Sequence, residues 1–334
     1  MKNTASTPPT PATSTQVSTT HASLLKLSGF KPWEAALWLL AFAAPVVLSR
    51  HALMINEIVI FALFAISLDL ILGYTGIVSL GHAAFFGMGA YAAALFAKLV
   101  HPDPLLGLLF AIVVSTVLGT VCSLTIMRGT DLTRLMVTLG MASILMELAN
   151  KLDWLTGGAD GLQGVVMAPV LGRFEFGLSG MTAAYYSLCV TLLLFILLRR
   201  LVFSPFGATL MAVRDNRLRA MAIGIPVTAR LATVYTVAAA IAGAAGALLA
   251  QTTGFASLDV FDFHRSADVM LLLVIGGVGW LYGGVVGAVV FKVMHDILSS
   301  VTPQYWTFWI GLFLVVLVMV GRERLVRPWT WWKK

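Results

Sequence analysis

The sequence predicts an all-α polytopic membrane protein, with about 8–10 transmembrane helices and glycine-broken or re-entrant segments among them. Three observations carry that expectation. Of the 334 residues, 59% are hydrophobic and only 11% charged, against about 25% charged in a soluble domain, and the mean hydropathy is +0.92. Apolar runs of about 20 residues, the length a helix needs to cross a bilayer, recur along the chain. Two of these runs, 67–94 and 267–294, are interrupted by glycines.

Residues 1–23 are rich in Ser, Thr and Pro and nearly uncharged. They have too little apolar surface to offset chain entropy, so a disordered tail is expected over 1–30. A cleaved signal peptide is not expected, because the first apolar run begins only near Trp33 and lacks a small-residue cleavage pattern. The membrane domain then covers 31–321, with spans expected at 33–49, 53–72, 77–100, 104–127, 132–150, 181–198, 231–254, 267–294 and 304–321. A basic tail, 322–334, follows.

Lys and Arg are retained on the cytoplasmic side of a membrane, and that rule orients the spans. Arg128 and Arg134 share one loop; Arg199, Arg200, Arg214, Arg217, Arg219 and Arg230 crowd another; Arg322, Arg324 and Arg327 close the chain. Both termini are therefore expected inside, with 101–104, 151–180 and 255–266 outside. Nine crossings contradict this. The suspect is 267–294, whose centre holds Gly276, Gly277, Gly279, Gly283, Gly284 and Gly287. Glycine costs about 1 kcal/mol in a helix interior, so this segment is expected to break. The result is eight crossings plus a re-entrant element, or ten crossings. The formal charge of +7 is accounted for by this topology rather than by nucleic-acid binding.

Stretch 67–94 is the most informative. Asp69, Tyr74, Thr75, Gly76, Ser79 and His82 punctuate it, and polar or ionisable groups at membrane depth belong against protein or water. Together with Gly276, Gly277 and Gly279 they are the candidate pathway residues, although His82 reads more simply as a packing group. Ala239, Gly243 and Ala247, with Ala242, Gly246 and Ala250, repeat every fourth residue, the spacing that lets membrane helices approach closely. Cys122 and Cys189 both read as small buried hydrophobes. Glu57, Glu147, Lys98 and Lys292 lie toward span ends, where they reach the interface.

Residues 204–230 form a basic segment too apolar for a linker. Ser204-Pro205 starts a helix, and two short helices with a turn at Gly224 and Pro226 are expected. The pattern fits equally a helix docking into a partner's groove and a basic loop at lipid headgroups. No phosphate loop G-x-x-x-x-G-K-[ST], H-E-x-x-H or G-x-S-x-G occurs in the sequence.

GYTGIVSLGHAAFFGMGAYAAA (73–94), LTGGADGLQGV (155–165), AVRDNRLRAMAIGI (212–225) and VIGGVGWLYGGVVGAVV (274–290), in that order, resemble the branched-chain amino acid ABC importer permeases of LivM type. The resemblance runs from about Leu53 to Gly321. It implies a permease subunit of the bacterial inner membrane that forms half of a translocation pathway. It also implies a homologous second permease, a periplasmic substrate-binding protein, and two ATP-binding subunits that hold ATP and Mg, leaving no cofactor on this chain. On the family pattern Arg214, Asp215, Asn216, Ala220, Ala222 and Gly224 would seat on an ATP-binding subunit. Arg217 and Met221 depart from that pattern, which often places acidic residues there. Thr156, Gly157, Gly158, Asp160 and Gly161 would meet the binding protein, though the residues themselves read as a tight turn. Permeases for urea, amides and aromatic acids look alike at this level. A proton-coupled carrier using Asp69, His82 or Glu147 is the alternative; it has no need of the segment 204–230.

Overall fold

The computed structural model describes residues 32–126, 131–177 and 179–320; the two expected tails and Arg128 lie outside them. Among the described residues the chain forms thirteen α-helices and no strand beyond isolated bridges. They are α1 (Pro32–Val47), α2 (Ala52–Thr75), α3 (Ala83–Leu99), α4 (Pro104–Ile126), α5 (Asp131–Lys151), α6 (Asp153–Thr156), α7 (Met181–Val202), α8 (Pro205–Asp215), α9 (Arg217–Ala222), α10 (Val227–Thr253), α11 (Phe263–Gly276), α12 (Gly283–Val301) and α13 (Trp306–Val320). Six are long and apolar enough to cross a membrane by themselves.

Polar contacts fix which ends of several helices share a face. Asn56 Nδ2, near the start of α2, donates to Thr252 Oγ1 near the end of α10 (3.0 Å). Gln251 Nε2 donates to the Pro104 carbonyl at the start of α4 (2.7 Å). Ser187 Oγ donates to Asn56 Oδ1 (2.6 Å) and Tyr186 OH to Gln251 Oε1 (2.9 Å). This buried network joins α2, α4, α7 and α10 on one side, here the loop face, since 152–180 lies there. Unpaired, each group would carry a desolvation cost; paired, they fix the helix register. On the opposite, basic face, Arg199 in the last turn of α7 pairs with Glu34 of α1 at 2.5 Å, both side chains almost fully buried.

The passes alternate: α1, α2, α3, α4, α5, α7, α10, α11, α12 and α13 run up and down in turn, and Pro32 and Val320 end on the same face. Ten passes result. Residues 77–82 form coil, a bend and a turn, so the expected span 77–100 is a helix only from Ala83. The expected span 267–294 is two helices, and α11 starts at Phe263, inside what had read as an outer loop.

Small residues let the centre close. A methyl group on Gly89 would meet the Gly243 carbonyl oxygen at 2.0 Å, and one on Gly246 the Phe86 carbonyl oxygen at 1.8 Å. The four-residue stripe of α10 therefore packs backbone to backbone on α3, the association that lipid-embedded helices use when apolar burial drives nothing. Cys122 is buried, but Cys189 is exposed on α7 among the described residues, so it does not pack as the sequence predicted.

Candidate functional site

Helix α2 ends because Gly76 takes a left-handed turn (φ 74°) while its N–H still bonds the Leu72 carbonyl (3.1 Å). The chain then climbs back beside α2. His82 Nε2 comes 2.8 Å from Ser67 Oγ, two turns above the helix end. Its ring stacks on Phe64, with centroids 5.6 Å apart and planes within 6°, and meets Phe85 edge-on. It is fully buried. Ser79 is buried beside Tyr235. The Thr75 hydroxyl bonds its own helix at the Ile71 carbonyl (2.6 Å), a common use of Thr in a helix.

Helix α11 ends at Gly276, and Gly277 and Gly279 have φ of 106° and 78°. Residues 277–282 turn the chain straight into α12. The two helices form a hairpin that only glycine permits: a methyl on Gly276 would lie 1.8 Å from the Gly283 carbonyl oxygen, and one on Gly287 1.9 Å from that of Leu272.

The two breaks meet. Asp69 Oδ1 accepts the Gly279 N–H at 2.7 Å, and a methyl on Gly73 would sit 2.5 Å from the Gly279 nitrogen. Tyr74 reaches the Leu281 backbone. A third element closes the junction. Arg214, in the last turn of α8, donates Nη1–H to the Gly73 carbonyl (2.6 Å), with the same nitrogen 3.4 Å from where a Gly279 side chain would begin. Nη2 lies 3.5 Å from Asp215 Oδ1. One guanidinium thus bonds the end of the first broken element and lies beside the turn of the second, from the basic face. A guanidinium suits this place, since it offers five donors in a rigid plane and holds its charge.

The helices that carry Arg214 form as the sequence predicted, for local reasons. Pro205 occupies the first turn of α8, where its missing N–H costs nothing. Asn216 caps α9, its Oδ1 accepting the Arg219 N–H at 2.9 Å. Gly224 (φ 86°) ends the pair in open space. Ala220 is buried, and Ala222 exposed. Sequence reading missed the apolar surface of α9 and its turn: Leu218, Met221 and Ile223 are exposed at 75%, 46% and 70%. They face outward beside Arg217 and Arg219.

The loop-face motif lies apart from this junction. Thr156 Oγ1 donates to the Ala149 carbonyl (2.5 Å), and Gly157, Gly158 and Gly161 all have positive φ. Leu162 pairs with Ala256 across an isolated bridge. Asp160 is exposed. Glu147 is a surface group of α5, 3.8 Å from Lys151.

Known proteins place this arrangement. The family profile described as "Branched-chain amino acid transport system / permease component" matches residues 52–321. The chain belongs to this permease family. It is 28% identical to the high-affinity branched-chain amino acid transport system permease protein LivM of Salmonella typhimurium, over 88% of this chain and 74% of that protein. It is 26% identical to the LivM of Escherichia coli, over 90% and 75%. No solved structure matches the chain. All four quoted motifs fall within the matched residues, and the family permease is a multi-pass membrane protein.

Proposed function

We propose that this chain is the permease subunit of a branched-chain amino acid importer of the bacterial inner membrane, driven by ATP hydrolysed on separate subunits, and that α8 and α9 seat on one of those subunits. The observation that carries the coupling role is the reach of Arg214 from α8 to the Gly73 carbonyl beside Gly279. A push on α8 from the basic face bears at once on the ends of α2 and of the α11–α12 hairpin. The exposed Leu218, Met221 and Ile223, ringed by arginines, supply the apolar face that a helix buries in a partner's groove. The arginines of this face set it in the cytoplasm. The loop face, with Thr156 to Gly161, is then periplasmic and meets the binding protein, and a homologous second permease supplies the other half of the pathway.

A proton relay through Asp69, His82 and Glu147 fits the geometry less well, since His82 is enclosed by Ser67, Phe64 and Phe85 while Glu147 lies on the surface of α5.

Substrate-stimulated ATP hydrolysis of the reconstituted complex tests this reading. Arg214→Glu is expected to cut the stimulation by leucine about tenfold, the range of a typical coupling energy, with the chain still assembled in the membrane. Undiminished stimulation refutes the coupling role. Stimulation by urea, amides or aromatic acids in place of leucine refutes the substrate.

A further inference from the structure

A second charged constellation lies far from Arg214. After α10 the chain does not stay at the loop face: residues 257–262 dip between helices, and Phe261 stacks on Tyr91 with ring centroids 5.5 Å apart and fills the space over Gly87. Tyr91 is eight residues from the end of α3, about 12 Å down the helix. Residues Leu258–Phe261 form a single 3₁₀ turn, and backbone outside an α-helix at that depth is stable only within protein or along water. The dip and the helix it feeds carry Asp259, Asp262, His264, Arg265 and Asp268. Against them stand Glu57 of α2 and Lys292 of α12, joined at 2.7 Å. The side chains of Asp259 and Glu57 are half exposed, at 53% and 50%. Charges so placed do not face hydrocarbon.

On the premise that the chain is an amino acid permease, we infer that the face shared by α2, α11, α12 and residues 257–262 is a wet wall of the solute path that binds an α-amino acid zwitterion, Asp268 taking the ammonium and Lys292 the carboxylate. Asp268 makes no hydrogen bond among the described residues, although Arg265, His264, Lys292 and His295 all lie within electrostatic reach of it. Its carboxyl group thus lies in the field of the Arg265 and Lys292 side chains with no donor of the described residues upon it. Lys292 has three N–H donors, and Glu57 takes one. Its ammonium stands 4.5 Å from the centroid of the Phe61 ring, while Arg265, which grips Asp259 through Nε at 3.0 Å, stands 5.7 Å from the same ring. Val289 and Val293, both exposed, leave an apolar strip beside Lys292 on α12. An apolar strip next to a cation and an anion matches the two ends of a branched-chain amino acid.

Thiol labelling in cells carrying the whole transporter tests this, with Cys189→Ser removing the exposed native thiol. Val293→Cys and Asp268→Cys are expected to react with a membrane-impermeant charged thiosulfonate added from outside. Ile144→Cys, on the bare flank of α5, is expected to stay inert. Leucine should slow the reaction at Val293→Cys severalfold. Uptake should fall about tenfold in Asp268→Asn and recover in Asp268→Glu, a rescue that mere packing would not show. A Val293→Cys as inert as Ile144→Cys overturns the wet wall, and labelling indifferent to leucine overturns the binding site. Labelling needs no transport, so a reactive Val293→Cys in a complex that takes up no branched-chain amino acid refutes the permease reading and not the wall.

Discussion

The break after α2 and the break after α11 are both glycine-rich, yet they are built differently. After α2 the chain makes one left-handed turn at Gly76 and returns without regular structure, regaining helix only at Ala83. After α11 it folds straight back on itself, and glycines on both arms bring the arms into backbone contact. The first takes a positive φ at Gly76, whereas the second takes positive φ at Gly277 and Gly279 and also needs the missing side chains of Gly276 and Gly287 on its two arms. A non-helical return leaves backbone groups for side chains to satisfy, which Ser266 does by accepting the Ala83 N–H (2.9 Å). A helical return satisfies its own backbone and needs only closeness.

This contrast ranks the consequences of substitution. Gly276→Val is expected to be the most damaging change, because the Gly283 carbonyl leaves no room; overpacking of this kind costs about 1–3 kcal/mol or more. The melting temperature of the detergent-purified protein should fall steeply, and an unchanged value would mean that the hairpin arms stand apart. Asp69→Ala comes next. It leaves the Gly279 N–H without its acceptor, worth about 1–3 kcal/mol, whereas Asp69→Asn keeps an oxygen there and should lose less. Amide exchange at Gly279 distinguishes them, and equal exchange in both variants would remove the carboxylate from the junction. Gly76→Ala should cost about 1–2 kcal/mol, the strain of a left-handed residue, with the hairpin untouched. The smallest effect is a gain. Gly140 lies within α5 with nothing within 4 Å of a prospective methyl group, so Gly140→Ala should stabilise by up to about 1 kcal/mol. A loss there would show that Gly140 packs against a partner subunit.

The hydrophobic runs made most passes legible, since a bilayer imposes length and apolarity on any helix that crosses it. The positive-inside count also made 267–294 the suspect for a segment crossed an even number of times or not at all. Local chemistry sufficed for α8 and α9, whose start at Pro205 and end at Gly224 depend on neighbouring residues alone. Periodicity missed the beginning of α11. Phe263 to Ser266, with His264 and Arg265 among them, read as part of the outer loop 255–266, yet they form the first turn of a helix that Asp262 caps. Nor was the partner of Asp69 legible. The Gly279 N–H stands 210 residues further along, and any of several backbone groups would satisfy a carboxylate equally well on paper.

The sequence by itself determined that this is an all-helical membrane protein, which stretches are broken, and which family it resembles. These follow from composition, glycine and motif order, and each is a property of a segment and its immediate neighbours. Only the tertiary structure decided that the two breaks touch, that Arg214 bonds one and lies beside the other, and that Glu57, Asp268 and Lys292 share one face. Such pairings depend on helix rotation and depth, which are set by close packing among passes that lie far apart along the chain.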